Sequence, residues 1–198
     1  PIVLQMSAQA GATPQAASIR TPVPIAPSVR VLDGDGRPVT GRRVVFFATK
    51  GNGSVQPTSP VVTDANGVAA LTSWTLGSIA GVQHLAAVIA DATTDALVVF
   101  EASAAPGPAT RIHVGPERRF LVIGDTFTIP GTLSDADGNV VTTSAPPTFL
   151  SSMPSVGSVN SNGLVTALAP GTTVITASRA GFSGEVTLTV SSPPSAFA

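Results

Sequence analysis

The feature that most constrains this fold is a rhythm of short apolar stretches interrupted by turn residues. It is clearest over residues 63–90, where Asn66-Gly67 opens an alternating run that ends at Trp74, the only tryptophan. Both residues of Asn-Gly tolerate positive φ, so we expect a two-residue type I′ hairpin here. Similar runs recur roughly every 8 to 12 residues, and no stretch keeps a helical period. The pattern predicts an all-β protein built from β-sandwiches.

Composition excludes several classes of protein. Only 11% of the 198 residues are charged, the net charge is -1, and Lys50 is the only lysine. This balance gives no reason to expect nucleic acid or an anionic membrane as a partner. The chain has no cysteine and no apolar run long enough for a membrane span. A surface of Ser, Thr, Gly and Ala is typical of a secreted or cell-surface bacterial module, or of a subunit covered in an assembly.

Turn motifs recur in the same order in the two halves of the chain, which predicts two copies of one plan. Asp35-Gly36 corresponds to Asp137-Gly138, and Asn66-Gly67 corresponds to Asn162-Gly163. Between the halves, Ala105-Pro-Gly-Pro108 reads as a short, stiff linker. We therefore expect two tandem immunoglobulin-like β-sandwiches, comprising residues 1–106 and 107–198.

These segments resemble the bacterial immunoglobulin-like domain families. Residues 29–46 (V-R-V-L-D-G-D-G-R-P-V-T-G-R-R-V-V-F) and 63–83 look like the group-1 type. Residues 133–141 (L-S-D-A-D-G-N-V-V), 151–167 and 171–177 (G-T-T-V-I-T-A) look like the group-2 type. The resemblance implies seven-stranded sandwiches with a stalk or adhesive role in exported proteins, as in intimin- and invasin-type surface proteins. These families share no catalytic residues, so none is carried over.

Two acidic turns are the only sequence features that suggest a cofactor, which would be calcium. They are Asp33/Asp35 and Asp135/Asp137. An EF-hand loop needs glycine at its sixth position and glutamate at its twelfth, but counting from Asp135 these are Val140 and Pro146. Asp, Asn and Gly also form strand-connecting turns by bonding the local backbone, and we favour that interpretation.

The other residues that could bind a metal or take part in catalysis are isolated in the sequence. His84 and His113 lack metal-ligand spacing, so we interpret both as core or edge residues. Gly181-Phe-Ser-Gly184 lacks the second spacer of a nucleophile elbow. We therefore predict no catalytic residue, no metal ligand, no cofactor-binding residue and no enzyme activity. Four aromatic residues in alternating strands are interpreted as core anchors: Phe46, Trp74, Phe100 and Phe127.

The function that these observations favour is structural and associative. A fibre or stalk subunit is predicted, which associates with copies of itself through sheet edges. Its apolar N-terminal segment is the candidate donor strand, with Ile2, Val3, Leu4 and Met6 as the donated residues. The alternative is an adhesin or carbohydrate-binding module of a larger surface or phage protein, which would recognise other surface proteins or glycans. A hydrolase is the least favoured possibility, because no acid–base pair or nucleophile constellation is found.

Overall fold

The computed structural model describes residues 4–58, 60–90 and 96–193. It divides into two compact units, Pro1–Gly107 and Pro108–Ala198, which we call the N-terminal and C-terminal units. The described residues form strands and turns, and among them no helix is long and apolar enough to cross a membrane. The protein is all-β, with two tandem immunoglobulin-like sandwiches.

The described residues of the N-terminal unit form ten strands, most of them short and bounded by Gly, Pro or Asp. They are β1 (Gln5–Ala8), β2 (Gln15–Ser18), β3 (Ser28–Leu32), β4 (Arg43–Lys50), β5 (Ser54–Gln56), β6 (Val61–Val62), β7 (Val68–Ala70), β8 (Ser73–Thr75), β9 (Gly81–Ile89) and β10 (Leu97–Ala105).

Two main sheets pack face to face in the N-terminal unit. One has the order β1-β3-β7 and the other the order β2-β10-β9-β4-β6, while β5 and β8 form a separate pair. Trp74, Leu85 and Phe100 are fully buried between the sheets, and the ring centroids of Phe46 and Phe100 are 6.4 Å apart. The predicted core anchors Phe46, Trp74 and Phe100 are confirmed.

The N-terminal unit also contains a strand where the sequence predicts a loop. The segment between residues 9 and 27 is rich in proline, yet Gln15–Ser18 forms β2 and pairs in parallel with the end of β10. The Gln15 amide group fixes this segment, because its Nε2 donates to the carbonyls of Ala12 and Ile25. Four residues of low strand propensity thus form a strand because a neighbouring strand supplies their hydrogen bonds.

Up to residue 193, where the described part of the chain ends, the C-terminal unit also forms ten strands. They are β11 (Arg111–His113), β12 (Arg118–Val122), β13 (Thr126–Thr128), β14 (Thr132–Ser134), β15 (Val140–Val141), β16 (Thr148–Ser151), β17 (Gly157–Val159), β18 (Leu164–Ala167), β19 (Gly171–Arg179) and β20 (Phe182–Ser191).

The C-terminal unit has a similar arrangement of strands, in which one strand is interrupted. Its larger sheet has the order β12-β20-β19-β16, and β12 pairs in parallel with β20 as β2 does with β10. Opposite it, β13 pairs with β18 and β14 pairs with β11. Pro130-Gly131 separates β13 from β14, and Gly131 has φ +55°. Ile175, Val186 and Leu188 fill the core between the sheets.

Four turns share one geometry across the two units. They begin at Asp33, Asp64, Asp135 and Asn160. In each, the first side chain accepts hydrogen bonds from the amides two and four residues later, and a glycine at the fourth position has positive φ. The corresponding motifs of the two sequence halves therefore fold identically.

This geometry corrects the expected type I′ turn at Asn66-Gly67. Gly67 has φ +75°, but Asn66 does not have positive φ. The Asp64 side chain accepts the amides of Asn66 and Val68, which fixes a three-residue loop ending in a glycine bulge. The Asp64 side chain, two residues before Asn66, therefore determines the type of turn, rather than the Asn-Gly pair itself.

Candidate functional site

The candidate donor strand occupies the edge of its own sheet. β1 pairs antiparallel with β3, so that Met6 lies opposite Val31 and Ser7 opposite Arg30. Leu4 is buried, and Met6 packs against the core of the N-terminal unit. Ile2 and Val3 lie outside the described residues. In the β1-β3-β7 sheet, β1 has a neighbour on one side only, so the strand is held by a single ladder.

The acidic turns use their carboxylates to hold the local backbone. Asp33 Oδ1 accepts the amides of Asp35 and Arg37, both at 2.9 Å. Asp135 Oδ1 accepts the amide of Asp137 at 3.0 Å and that of Asn139 at 2.9 Å, and its Oδ2 accepts Asn139 Nδ2 at 2.9 Å. In the described ranges, no group of three or more His, Cys, Asp or Glu residues is placed to hold a metal ion. This geometry agrees with the turn interpretation.

The two turns differ in burial, which gives a prediction. Asp135 is almost fully buried, whereas Asp33 is half-buried. We expect Asp135→Ala to lower the free energy of unfolding by about 2 kcal/mol, because partly buried amides would lose the buried carboxylate that accepts them. Asp33→Ala, the matched control, would lower it by about 1 kcal/mol or less, because water reaches its amides. Urea denaturation followed by circular dichroism measures both, and equal losses would contradict the role of burial.

The two histidines lie on separate units and in different settings. His84 is on the outer face of β9, and its Nε2 is 3.6 Å from Glu101 Oε2. His113 is exposed at the end of β11 and lines an open cleft of about 430 Å³. Arg111 and Ser134 also line this cleft, where Arg111 Nε donates to Ser134 Oγ at 3.1 Å. This cleft combines a cation, a hydroxyl and an imidazole, which can hydrogen-bond a polar ligand.

Phe127 differs from the other predicted core anchors. It is half-buried, and the Arg119 guanidinium lies over its ring at 4.8 Å from the centroid. Phe127 packs against the core of the C-terminal unit from its margin. Its role is therefore to close the core and support Arg119 by a cation–π contact.

The outer face of the larger N-terminal sheet is apolar, which sequence reasoning missed. Cross-strand registers place side chains of β4, β9 and β10 in rows on this face. The alternate residues, such as Phe46, Leu85 and Phe100, point into the core. We call the outer set the apolar face, which consists of Val45, Phe47, Ala86, Val88, Leu97 and Val99.

Similarity to known proteins is found among solved structures. No family model matches the chain, and no curated protein matches it. Similar solved structures include the S-layer protein rSbsC(31-844), at 14% identity and TM-score 0.40, over 96% of this chain and 28% of that one. InvD of Yersinia pseudotuberculosis is similar at 21% identity and TM-score 0.48, over 98% of this chain and 60% of that one. Invasin, a bacterial integrin-binding protein, is similar at 20% identity and TM-score 0.37, over 98% and 40%. This chain thus spans less than two thirds of the length of each of these three proteins.

Proposed function

We propose that this chain is an exported, non-catalytic structural module of a bacterial surface, acting as a stalk or fibre subunit that associates with copies of itself. Residues 1–106 and 107–198 would act as two immunoglobulin-like modules of the group-1 and group-2 types. Such association depends on the surface of the molecule rather than on catalytic chemistry.

The observation that carries the proposal is a surface poor in charge and rich in exposed apolar side chains. Charged residues make up 11% of the chain, less than half of the roughly 25% in ordinary soluble domains. Phe120 and Leu150 expose 78% and 71% of their area on edge strands of the C-terminal unit. Such edges and patches are weakly solvated and favour contact with another protein surface.

Strand donation is the specific mode of association that we propose for the N-terminal segment. β1 is a four-residue edge strand with one paired neighbour, and Leu4 and Met6 supply its apolar contacts. A strand that leaves its own sheet can fill the same place in a second copy, because the contacts it would make are identical. Ile2 and Val3 would extend the donated strand.

A reversible disulfide between β1 and β3 tests strand donation without deleting β1. Ser7 and Arg30 are opposite each other in the register of β1 and β3, and both are exposed. Cross-strand partners lie within the Cα separation that a disulfide spans, and the chain has no other cysteine. We expect the Ser7→Cys/Arg30→Cys variant to form filaments when reduced and to lose them when oxidised, as seen by negative-stain electron microscopy.

The controls separate the effect of the disulfide from the effect of the two substitutions. Each single cysteine variant, under blocked-thiol conditions, should form filaments as the unmodified chain does. Filaments that persist in the fully oxidised double variant would refute strand donation. If the unmodified chain forms no assembly by microscopy or sedimentation, the proposed self-association is itself wrong.

An adhesin or carbohydrate-binding module remains the second candidate, favoured by the cleft on the C-terminal unit. Arg111, His113 and Ser134 offer hydrogen-bond donors and acceptors at its surface. Glycan-array binding that is lost in His113→Ala and Ser134→Ala variants would support it. An array without signal at high protein concentration would count against it.

A further inference from the structure

The apolar face is a regular grid on one side of the larger N-terminal sheet. Leu97, Val88 and Val45 form its first row across β10, β9 and β4. Val99, Ala86 and Phe47 form the second row. Leu97 is 57% exposed, Val99 48% and Phe47 43%, so the outer residues of the grid meet solvent.

On the two central strands of the larger C-terminal sheet, the outer side is mainly threonine. This side of the β12-β20-β19-β16 sheet carries Thr172 and Thr176 on β19 and Thr187 and Thr189 on β20. Val174 is the only apolar residue that β19 and β20 place there. The edge strands of that sheet add Phe120 beside Thr189 and Leu150 beside Thr176. Large apolar side chains thus stand at the edges of the C-terminal sheet, whereas in the N-terminal unit they form a continuous grid across three adjacent strands. Exposed apolar patches of this kind mark contact surfaces.

A row of charged residues adjoins the grid and suggests what covers it. Glu101 lies opposite His84, and His84 lies opposite Lys50. A bulge between Ala48 and Lys50 shifts the register of β4, which returns Lys50 to this row. The negative group is therefore on β10 and the positive group on β4, one strand to either side of β9.

We propose that the apolar face binds the apolar face of a second copy of this chain, about a two-fold axis parallel to β9. Such an axis exchanges the two sides of the sheet and preserves position along the strands. Glu101 then faces Lys50 of the second copy, and Lys50 faces its Glu101. In the same arrangement Leu97 faces Val45 of the second copy and Val99 faces its Phe47. Apolar residues meet apolar residues, and opposite charges meet at the margin.

The size of the grid sets the expected strength of this contact. Three strands about 4.8 Å apart, over a length of five or six residues, cover roughly 250–300 Å². A stable complex buries about 800 Å² on each partner, so the grid is well below that size and gives a weak contact. We expect a dimer with a dissociation constant on the order of 100 μM, which gains strength when many copies are held on one surface.

This inference rests on the proposed self-association and names a surface for it other than β1. The test therefore uses the oxidised Ser7→Cys/Arg30→Cys chain, in which β1 cannot leave its sheet. Sedimentation velocity over about 1 μM to 1 mM should show a monomer–dimer equilibrium. Phe47→Ser in this background should weaken the dimer at least about tenfold, because its ring is lost from the face. Leu150→Ser, which removes a more exposed apolar side chain from the C-terminal unit, should leave the monomer–dimer equilibrium unchanged, because Leu150 is not part of the apolar face.

The charged row allows a test of the two-fold geometry itself. Lys50→Glu or Glu101→Lys alone places like charges opposite each other, so either variant should weaken the dimer about tenfold. The Lys50→Glu/Glu101→Lys double variant should dimerise like the parent. Mixing the two single variants should also restore dimers, because every charge then meets its opposite.

Several results would contradict the face-to-face dimer and leave the proposed strand donation unaffected. A locked chain that stays monomeric to about 1 mM shows that the face does not self-associate. A dimer that tolerates Phe47→Ser uses a different surface. Single variants that weaken the dimer without rescue by the double variant or by mixing rule out the two-fold arrangement. Thermal unfolding of each variant, compared with the parent, confirms that a lost dimer does not reflect a lost fold.

Discussion

Replacing Gly77 with alanine is expected to unfold the N-terminal unit at room temperature. A Cβ at this position would overlap the carbonyl oxygen of Gly51, and backbone atoms of Asn52 also lie within reach. Gly51 has little room to move, because the buried Gln83 side chain is packed closely against it. Gln83 Oε1 accepts the Gly77 amide at 2.8 Å, and its Nε2 donates to the Ile79 carbonyl at 2.7 Å. We expect a loss of more than about 4 kcal/mol, close to the whole stability of a small domain.

Fluorescence of Trp74 measures this effect in the unit concerned, because the only tryptophan is buried there. The Gly77→Ala chain should show the emission of an exposed indole without denaturant. Gly36→Ala is the matched control. Gly36 has φ +80°, but an added Cβ would meet nothing within 4 Å, so only backbone strain of about 1–2 kcal/mol is expected. Equal, small losses in both variants would show that the loop at Gly51 yields readily.

Phe100→Ala is expected to have the second-largest effect, a loss of about 3–5 kcal/mol. The ring is fully buried on β10 and lies beside that of Phe46, at the centre of the N-terminal core. Its removal would leave a cavity that strands paired on both sides of β10 cannot close. Equilibrium denaturation followed by Trp74 fluorescence gives the change in free energy.

The neighbouring residue provides the control for this substitution. Val99 precedes Phe100 on the same strand, points to the opposite side of the sheet and is largely exposed. Val99→Ala should cost about 0.5 kcal/mol or less. A comparable loss of stability from both substitutions would contradict the assignment of Phe100 to the buried side of β10 and Val99 to its exposed side.

Local turn chemistry made much of the fold predictable from sequence. The Asp, Asn and Gly motifs identified the ends of strands, and the core aromatics Phe46, Trp74 and Phe100 were recognised by alternation. The type of turn was missed, because it depends on the Asp64 side chain accepting two amides. β2 was missed because Gln15–Ser18 has little strand propensity and is a strand only through its pairing with β10.

The apolar face was missed for a different physical reason. In Leu97-Val-Val-Phe100 every residue is apolar, so the sequence does not show that the outer side of the strand is apolar as well as the inner side. Only the register shows that Leu97 and Val99 are aligned with Val88 and Ala86 on one side, while Phe100 faces the core. The bulge that brings Lys50 level with His84 is likewise a tertiary feature, with no marker at Thr49 in the sequence.

The parallel pairing of β2 with β10, and of β12 with β20, determines how each unit would respond to tension along the chain. In both units a strand near the beginning lies parallel to the last strand. Force applied through the two ends of a unit pulls such strands past each other in opposite directions. All the hydrogen bonds of the pair are then loaded in shear together, whereas an antiparallel pair opened from one end would yield bond by bond. The first peak in a single-molecule extension trace should therefore require high force.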